Sequence, residues 1–135
     1  MDTREKIISA AQAVQITAEL RNDGIPFNLV SGYFDVLREE VVGRLGAHTA
    51  QNMRMFALVL DPPRPVVCAR ARCELAASLR MIDYVLHTEG DPAEFLRSID
   101  PLAWIHEEDA HQQCTDHLIR HVLERHEAVE RRQSN

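Results

Sequence analysis

The amino-acid sequence predicts an α/β fold in which a parallel sheet is covered by helices on both faces. Four short apolar segments, at 27–31, 55–60, 82–86 and 102–105, alternate with stretches of helical periodicity. Strands separated by helical stretches of roughly 10 to 20 residues are typical of right-handed β-α-β crossovers. The segment 55–60 is apolar throughout, as expected for a strand that is buried on both faces. We therefore predict a doubly wound sheet whose central first strand lies between the second and the fourth.

The chain has 135 residues, which is the length of a single domain with one sizeable core. We expect this core to extend from about residue 4 to residue 126, with a frayed tail at 127–135. Hydrophobic residues make up 45% of the chain and charged residues 27%, a balance that excludes wholesale disorder.

The net charge and the cysteines exclude several classes of protein. Fifteen basic and 21 acidic residues give a net charge of −6, which disfavours binding to nucleic acid or to an anionic membrane. There is neither a signal-peptide core nor an apolar segment long enough to span a bilayer, so we predict a cytoplasmic protein. Cys68, Cys73 and Cys114 show no C-x-x-C spacing, which favours buried thiols over a disulfide framework or a zinc site.

The first two helices are predicted on either side of the first strand. Asp2 and Glu5 have the spacing of a capping box for a helix over 4–22. The apolar positions of that helix would be Ile7, Ala11, Val14 and Ala18. A second helix is predicted directly after Gly32. Its buried stripe would consist of Phe34, Leu37, Val41 and Leu45.

Three more helices follow along the chain. The third has its apolar stripe at Cys68, Ala71, Leu75 and Leu79. The fourth would start at Asp91-Pro92, with an acidic N-cap and proline at the first helical position, and end near Ile99. The last is a charged helix over about 109–131, with apolar positions at Cys114, Leu118 and Val122. Trp104 is expected in the core or at a dimer contact rather than as a stacking platform for a base.

Ligands of parallel α/β sheets bind outside the carboxyl ends of the strands, which here follow residues 31, 60, 87 and 105. At the first of these ends, Gly32 and Asp35 are equally compatible with a structural role and with a binding role. Gly32 could serve only a tight turn and Asp35 only a helix cap. The same residues could instead form an anion-binding helix start.

The segment Ser31-Gly32-Tyr33-Phe34-Asp35-Val36-Leu37 resembles the first signature of the cytidylyltransferase-like nucleotidyltransferases, T-N-G-x-F-D-x-L-H-x-G-H. Leu58-Val59-Leu60-Asp61, Arg72-Cys73-Glu74-Leu75 and Met81-Ile82-Asp83-Tyr84-Val85 also look like counterparts in the heptose-phosphate and glycerol-phosphate branches. The resemblance covers roughly residues 4 to 110 and implies a Rossmann-like, doubly wound nucleotidyltransferase fold. It also implies binding of a nucleoside triphosphate, whose α-phosphorus a second substrate attacks with release of pyrophosphate.

The sequence departs from both signatures of that family. Arg38-Glu39-Glu40-Val41 stands where the family has H-x-G-H, so both histidines and the glycine are replaced. A valine side chain cannot donate a hydrogen bond to a phosphate. After the fourth strand, Ile105-His106-Glu107-Glu108-Asp109 stands where the heptose-type branch has V-K-G-G-D. The I-S-[ST]-[ST] element that starts the next helix in related branches has no match after Asp109.

The replacements bring negative charge to the expected site. The carboxylates predicted to gather at the mouth between the first and fourth strands are Asp35, Glu39, Glu40, Glu107, Glu108 and Asp109. Such a cluster repels a triphosphate unless a cation such as Mg²⁺ intervenes, and Arg38 is the one new basic group. The candidate nucleotide- or ligand-binding residues are Ser31, Gly32, Tyr33, Phe34, Asp35, Arg38, Asp61, His106, Glu107, Glu108 and Asp109.

Five of the seven histidines lie in the last quarter of the chain: His106, His111, His117, His121 and His126. His117 and His121 are four residues apart, so they share a helix face and could hold one metal ion. The alternative is a polar, solvated helix face, which we favour because no third ligand stands at a fixed spacing.

These observations favour one function and leave two alternatives. The favoured one is a nucleotidyltransferase-fold protein with a degenerate catalytic motif, which is an inactive or weakly active binding or regulatory domain. A nucleotide, a small phosphorylated molecule or a second copy of the chain would be its partner. The first alternative is an active cytidylyl- or adenylyltransferase that uses Arg38 with recruited Mg²⁺. The second is a metal- or partner-binding module based on the histidine-rich last helix.

Overall fold

The computed structural model describes residues 2–49, 52–89 and 91–134. A parallel sheet is formed by β1 (Phe27–Gly32), β2 (Arg54–Val59), β3 (Tyr84–His87) and β4 (Ala103–His106). The helices are α1 (Ala10–Asn22), α2 (Glu39–Gly46), α3 (Ala69–Ala77), α4 (Ala93–Ile99) and α5 (Glu108–Ser134), and a 3₁₀ turn covers Thr3–Lys6. None of the described helices is long and apolar enough to cross a membrane.

The strands lie in the order β3-β2-β1-β4 and every pair is parallel. Leu29 pairs with Phe56 of β2 and with Trp104 of β4, so β1 is the inner strand between them. This confirms the predicted α/β fold with a Rossmann-like sheet and the predicted neighbours of the first strand.

Two apolar cores cover the two faces of the sheet, because successive strand side chains point to opposite sides. Val30 belongs to the core that includes Leu45 and Ala76, from α2 and α3. Leu29 belongs to the core that includes Ala13 and Ile99, from α1 and α4. The cysteines follow their predicted burial in two cases: Cys73 and Cys114 are buried free thiols, whereas Cys68 is exposed. Burial raises the pKa of the Cys73 thiol.

The N-terminal segment differs from the single helix predicted over 4–22. Asp2 caps the short 3₁₀ turn by accepting a hydrogen bond from the Arg4 amide, and Ile7 then pairs with Val85 beside β3. Because Ile7 is extended, the predicted capping box of Asp2 and Glu5 does not form. The capping box lies at Ser9 and Gln12 instead, where α1 begins.

The later start of α1 also changes which of its faces is buried. Ala13, Thr17 and Leu20 are the buried residues of α1. Ala11, Val14 and Ala18, which were predicted to face the core, are exposed. The predicted stripe was counted from Ile7, which lies outside the helix, so its phase is wrong.

The helix predicted directly after Gly32 also begins later. Residues 33–38 form a loop in which Phe34 has a positive φ of 51°, and α2 starts at Glu39. Phe34 is nevertheless fully buried, as predicted for the core. Asp35 does not cap a helix, because its carboxylate accepts hydrogen bonds from the amides of Val66 and Val67.

Helix α5 continues to Ser134, through the segment for which the sequence predicts a frayed tail. Cys114 is buried as predicted. Leu118 and Val122 are exposed instead of packed, because the residues from 116 to 133 lie beyond the contact of α5 with the sheet.

The capping box of α1 provides a test of this arrangement. Ser9→Ala removes the side-chain acceptor for the Gln12 amide, so we expect the free energy of unfolding to fall by about 1 kcal/mol in denaturant titrations. Ser78→Ala removes a serine from the C-cap of a different helix, α3, and is the control. An equal effect of the two substitutions would contradict the capping role of Ser9.

Candidate functional site

The carboxyl end of β1 is closed by contacts within the protein. Ser31 is fully buried, and its Oγ accepts a hydrogen bond of 2.7 Å from Nε1 of Trp104. The same hydroxyl donates to Oε1 of Glu108, in the first turn of α5. The donor of the Ser31 hydroxyl is therefore used by α5, and one of its two acceptor lone pairs by β4.

His111 of α5 lies directly over Gly32 and is fully buried. Its Nδ1 accepts hydrogen bonds from the amides of Tyr33 and Phe34, at 3.0 and 3.2 Å. The ring also meets the Phe34 ring edge-on, with centroids 4.7 Å apart. The backbone donors that follow the strand are thus occupied by a side chain of the protein.

Burial keeps the imidazole of His111 neutral. Desolvation, with a smaller contribution from the charge of Arg44, lowers the pKa of His111 to about 4. A neutral ring that accepts at Nδ1 carries its proton on Nε2. Within the described residues that buried Nε2 has no hydrogen-bond partner. His111 is one of the site residues that sequence reasoning missed, since it stood out only as one of several clustered histidines.

Asp35 links the loop after β1 to the loop after β2, which contains Pro62, Pro63 and Pro65. Its two carboxylate oxygens accept from the Val66 amide at 2.6 Å and from the Val67 amide at 2.8 Å. Asp35 is buried, and both oxygens face the backbone of that second loop. Neither an anion-binding helix start nor a helix cap is formed by Asp35.

A buried arginine joins the same loops from the other side. Arg72 is 2% exposed, and it donates to the carbonyl oxygens of Tyr33, Leu60 and Val67. Its Nη2 also lies 2.7 Å from Oδ1 of Asp61. Asp61, a predicted ligand-binding residue, therefore balances the charge of Arg72.

The Asp61 carboxylate also contacts Nε2 of His87, at 2.8 Å. Hydrogen bonds from Arg72 and then from His87 hold the pKa of Asp61 below its usual range. Arg72 appeared in the sequence as a charged residue within an apolar helical stripe, which is a signal for a buried cation with a partner.

A cavity of about 560 Å³ opens beside this closed strand end, between α2 and α5. Its lining consists of Arg38, Glu40, Val41, Arg44, His106, Glu107, Asp109, Ala110, Gln113 and Cys114. Two ion pairs line it: Arg44 of α2 lies 3.1 Å from Glu107 at the start of α5, and Arg38 lies 3.3 Å from Glu40, both at the start of α2. Glu107 is nearly buried whereas Arg44 is mostly exposed, so the carboxylate is the desolvated partner of that pair.

The expected cluster of six carboxylates is only partly assembled. Glu40, Glu107 and Asp109 line the cavity, together with His106. Glu108 is bound to Ser31, Asp35 is bound to the loop after β2, and Glu39 does not line the cavity.

Arginines offset those carboxylates. Arg44 lines the cavity beside Arg38, so the two arginines balance two of the three lining carboxylates. Arg44 was missed, although it follows Glu40 by four residues and therefore shares its face of α2.

The predicted histidine sites lie at the surface. His106 stacks on Trp104, with ring centroids 4.2 Å apart, and its Nδ1 lies 3.7 Å from Glu108. His117 and His121 line a separate depression of about 230 Å³ with Cys114 and Arg38. Over residues 2–49, 52–89 and 91–134, no group of three or more His, Cys, Asp or Glu side chains is arranged to hold a metal ion.

The contact between Gly32 and His111 predicts a steric effect. A Cβ atom at residue 32 would lie 2.4 Å from Cε1 and Nδ1 of the buried ring, so Gly32→Ala is expected to destabilise by about 2 kcal/mol or more. Gly43→Ala, where a Cβ meets open space within α2, is expected to stabilise by up to about 1 kcal/mol. Denaturant unfolding of the two variants measures the difference, and equal stability would contradict the contact.

The pKa of His111 predicts a dependence of stability on pH. An unfolded histidine titrates near 6.5 and folded His111 near 4, so the unfolded state takes up the proton first as the pH falls. Stability is therefore expected to fall between about pH 6.5 and 4, by up to about 3 kcal/mol, and to be unaffected by this group above that range.

Urea unfolding across that pH range tests this expectation on His111→Gln. The variant lacks the titrating group, so its free energy of unfolding should decline less than that of the parent chain. His48→Gln, at an exposed position after α2, is the control and should decline like the parent. An unchanged pH dependence in His111→Gln would show that the buried ring does not control acid stability.

Searches against models of protein families and against curated proteins find no match for this chain.

Proposed function

We propose that this chain is a non-catalytic, nucleotidyltransferase-like domain that binds a small ligand in the cavity between α2 and α5. The observation that carries the proposal is the position of His111, whose imidazole occupies the space over Gly32 and accepts the amides of Tyr33 and Phe34. Backbone amides in that position are the donors that an α/β sheet offers to a phosphate. A phosphate would have to displace a buried side chain to reach them.

The residues that stand in place of the family's histidines support the same conclusion. Arg38 is paired with Glu40, and the buried Val41 offers no hydrogen bond. Nucleotidyl transfer depends on positive or hydrogen-bonding groups that stabilise the charge developing on the phosphates. One paired arginine, beside three carboxylates that line the same cavity, is a poor replacement for two histidines.

The charges of the cavity indicate the kind of ligand. Each arginine is already neutralised by a carboxylate, and the Glu107 carboxylate has lost most of its solvation. Removing Arg44 from Glu107 would leave a buried charge unpaired, which is costly. A ligand that carries both a cationic and an anionic group can replace both partners of such a pair, whereas a free triphosphate replaces only one. A zwitterionic molecule is therefore the class that this lining favours.

Pyrophosphate release is the direct test of the catalytic part of the proposal. With CTP or ATP and sugar or polyol phosphates, in the presence of Mg²⁺, turnover is expected to be negligible. The loss of two donors at about 3 kcal/mol each slows a reaction by roughly four orders of magnitude. Release at an ordinary enzymatic rate would refute the proposal in favour of an active transferase that uses Arg38.

Calorimetry with pyrophosphate as the probe tests the electrostatic part. Glu107→Gln removes a carboxylate and releases Arg44, so the affinity for pyrophosphate is expected to rise about fivefold or more over the parent. Glu124→Gln makes the same change of charge on the exposed part of α5 and should leave the affinity unchanged. Tight binding of CTP by the parent without metal would contradict the proposed occupation of the strand end.

A further inference from the structure

Helix α5 extends well past the domain on which it starts. Glu107, His111, Cys114 and Thr115 are buried, whereas every residue from 116 to 133 is exposed. We name residues 116–133 the α5 overhang. At 1.5 Å per residue, this overhang is about 27 Å long. We propose that the α5 overhang pairs with the overhang of a second copy of the chain.

The overhang continues the apolar face that the domain buries. Its large apolar side chains are between 39% and 56% exposed, and they are Leu118, Ile119, Val122, Leu123 and Val129. On a helix, positions 118, 122 and 129 lie on the same side as the buried His111 and Thr115. The apolar face therefore runs on past the buried residues of α5: Leu118 still borders a depression that Val36 and Arg38 also line, and Val122 and Val129 lie beyond that depression.

The spacing along this face is that of a helix-pairing seam. Ile119, Val122, His126 and Val129 follow one another at intervals of three, four and three residues. That alternation places a single line of side chains toward a second helix. Leu118 and Leu123 flank the line and widen its apolar part. His126 is the one polar residue in the seam.

The charges of the overhang favour a second copy over other partners. Four acidic residues, Asp116, Glu124, Glu127 and Glu130, stand against four arginines, Arg120, Arg125, Arg131 and Arg132. The overhang is thus neutral, apart from its histidines, within a chain of net charge −6. Helices that bind anionic membranes or nucleic acid carry an excess of basic residues. The charges are also placed for pairing with an identical helix, because an antiparallel pair that sets Ile119 against Val129 brings Asp116 opposite Arg132.

The position of the domain limits how the two helices can meet. The domain occupies the apolar face of α5 up to Thr115, so the second helix can lie only along residues beyond it. An antiparallel arrangement satisfies this limit, because it places the two domains at opposite ends of the pair. The seam from 119 to 129 covers under two heptads, which is shorter than self-sufficient coiled coils. The dimer should therefore depend on protein concentration in the micromolar range.

Sedimentation equilibrium of the full chain over a range of concentrations tests the proposal. The parent is expected to show a monomer–dimer equilibrium. Val122→Glu puts a charge into the seam and should raise the dissociation constant at least about tenfold. Ala128→Glu introduces the same side chain on the opposite face of the overhang and should leave the dissociation constant within about twofold of the parent.

His126→Leu is expected to change the dissociation constant in the opposite direction to Val122→Glu. It replaces the polar residue of the seam by an apolar one and is expected to lower the dissociation constant at least about fivefold. Circular dichroism of each variant establishes that the fold is intact, which the exposure of these positions predicts. A parent that stays monomeric at all concentrations, or dimers that respond equally to Val122→Glu and Ala128→Glu, would overturn the proposal. So would a monomer whose overhang binds anionic vesicles.

Discussion

The packing of the His111 ring on Gly32 is the contact on which the rest of the site depends. A residue with any side chain at position 32 would exclude the imidazole, and the amides of Tyr33 and Phe34 would lose their acceptor. The same contact anchors the first turns of α5 over β1, and so determines where the cavity beside α2 lies and where the overhang begins. This contact also destabilises the fold in one respect, because the buried, neutral His111 has no hydrogen-bond partner for its Nε2 within the described residues.

Arg72 has the corresponding role on the other side of β1. Its guanidinium group donates to three backbone carbonyls and to Asp61, which ties together the loops after β1 and β2. Asp35 crosses between the same loops with two amide contacts. Because buried ions are stable only when they are fully paired, these loops form one unit that resists separate movement. Residues that resemble a nucleotide signature therefore act here in holding the strand ends together.

The sheet was predictable from sequence because its signals are local. The apolar run from Met55 to Leu60 has strand length, and its residues 55–59 are buried; the alternation with helices then determines a parallel order. The start of α2 was not predictable, because a long-range contact between Asp35 and the Val66 and Val67 amides holds the preceding loop open. The predicted cluster of six carboxylates was likewise correct only in part, since only Glu40, Glu107 and Asp109 line the cavity. The spacing of Arg44 from Glu40 places both on one face of α2, but it does not show that Arg44 would pair with Glu107 at the start of α5.

If the chain is a nucleotidyltransferase-like domain as proposed, the replaced H-x-G-H motif would be only part of the reason for the proposed inactivity. Histidines at positions 38 and 41 would restore donors at the start of α2, yet the ring of His111 would still occupy the amides beyond Gly32. Clearing those amides requires moving α5, which is anchored by His111, Cys114 and Thr115 within the domain. Under the proposed function, the obstacle to phosphate binding would therefore be the path of α5 rather than a few substituted side chains. The same path of α5 forms one wall of the cavity, so the proposal assigns this cavity a ligand other than a triphosphate.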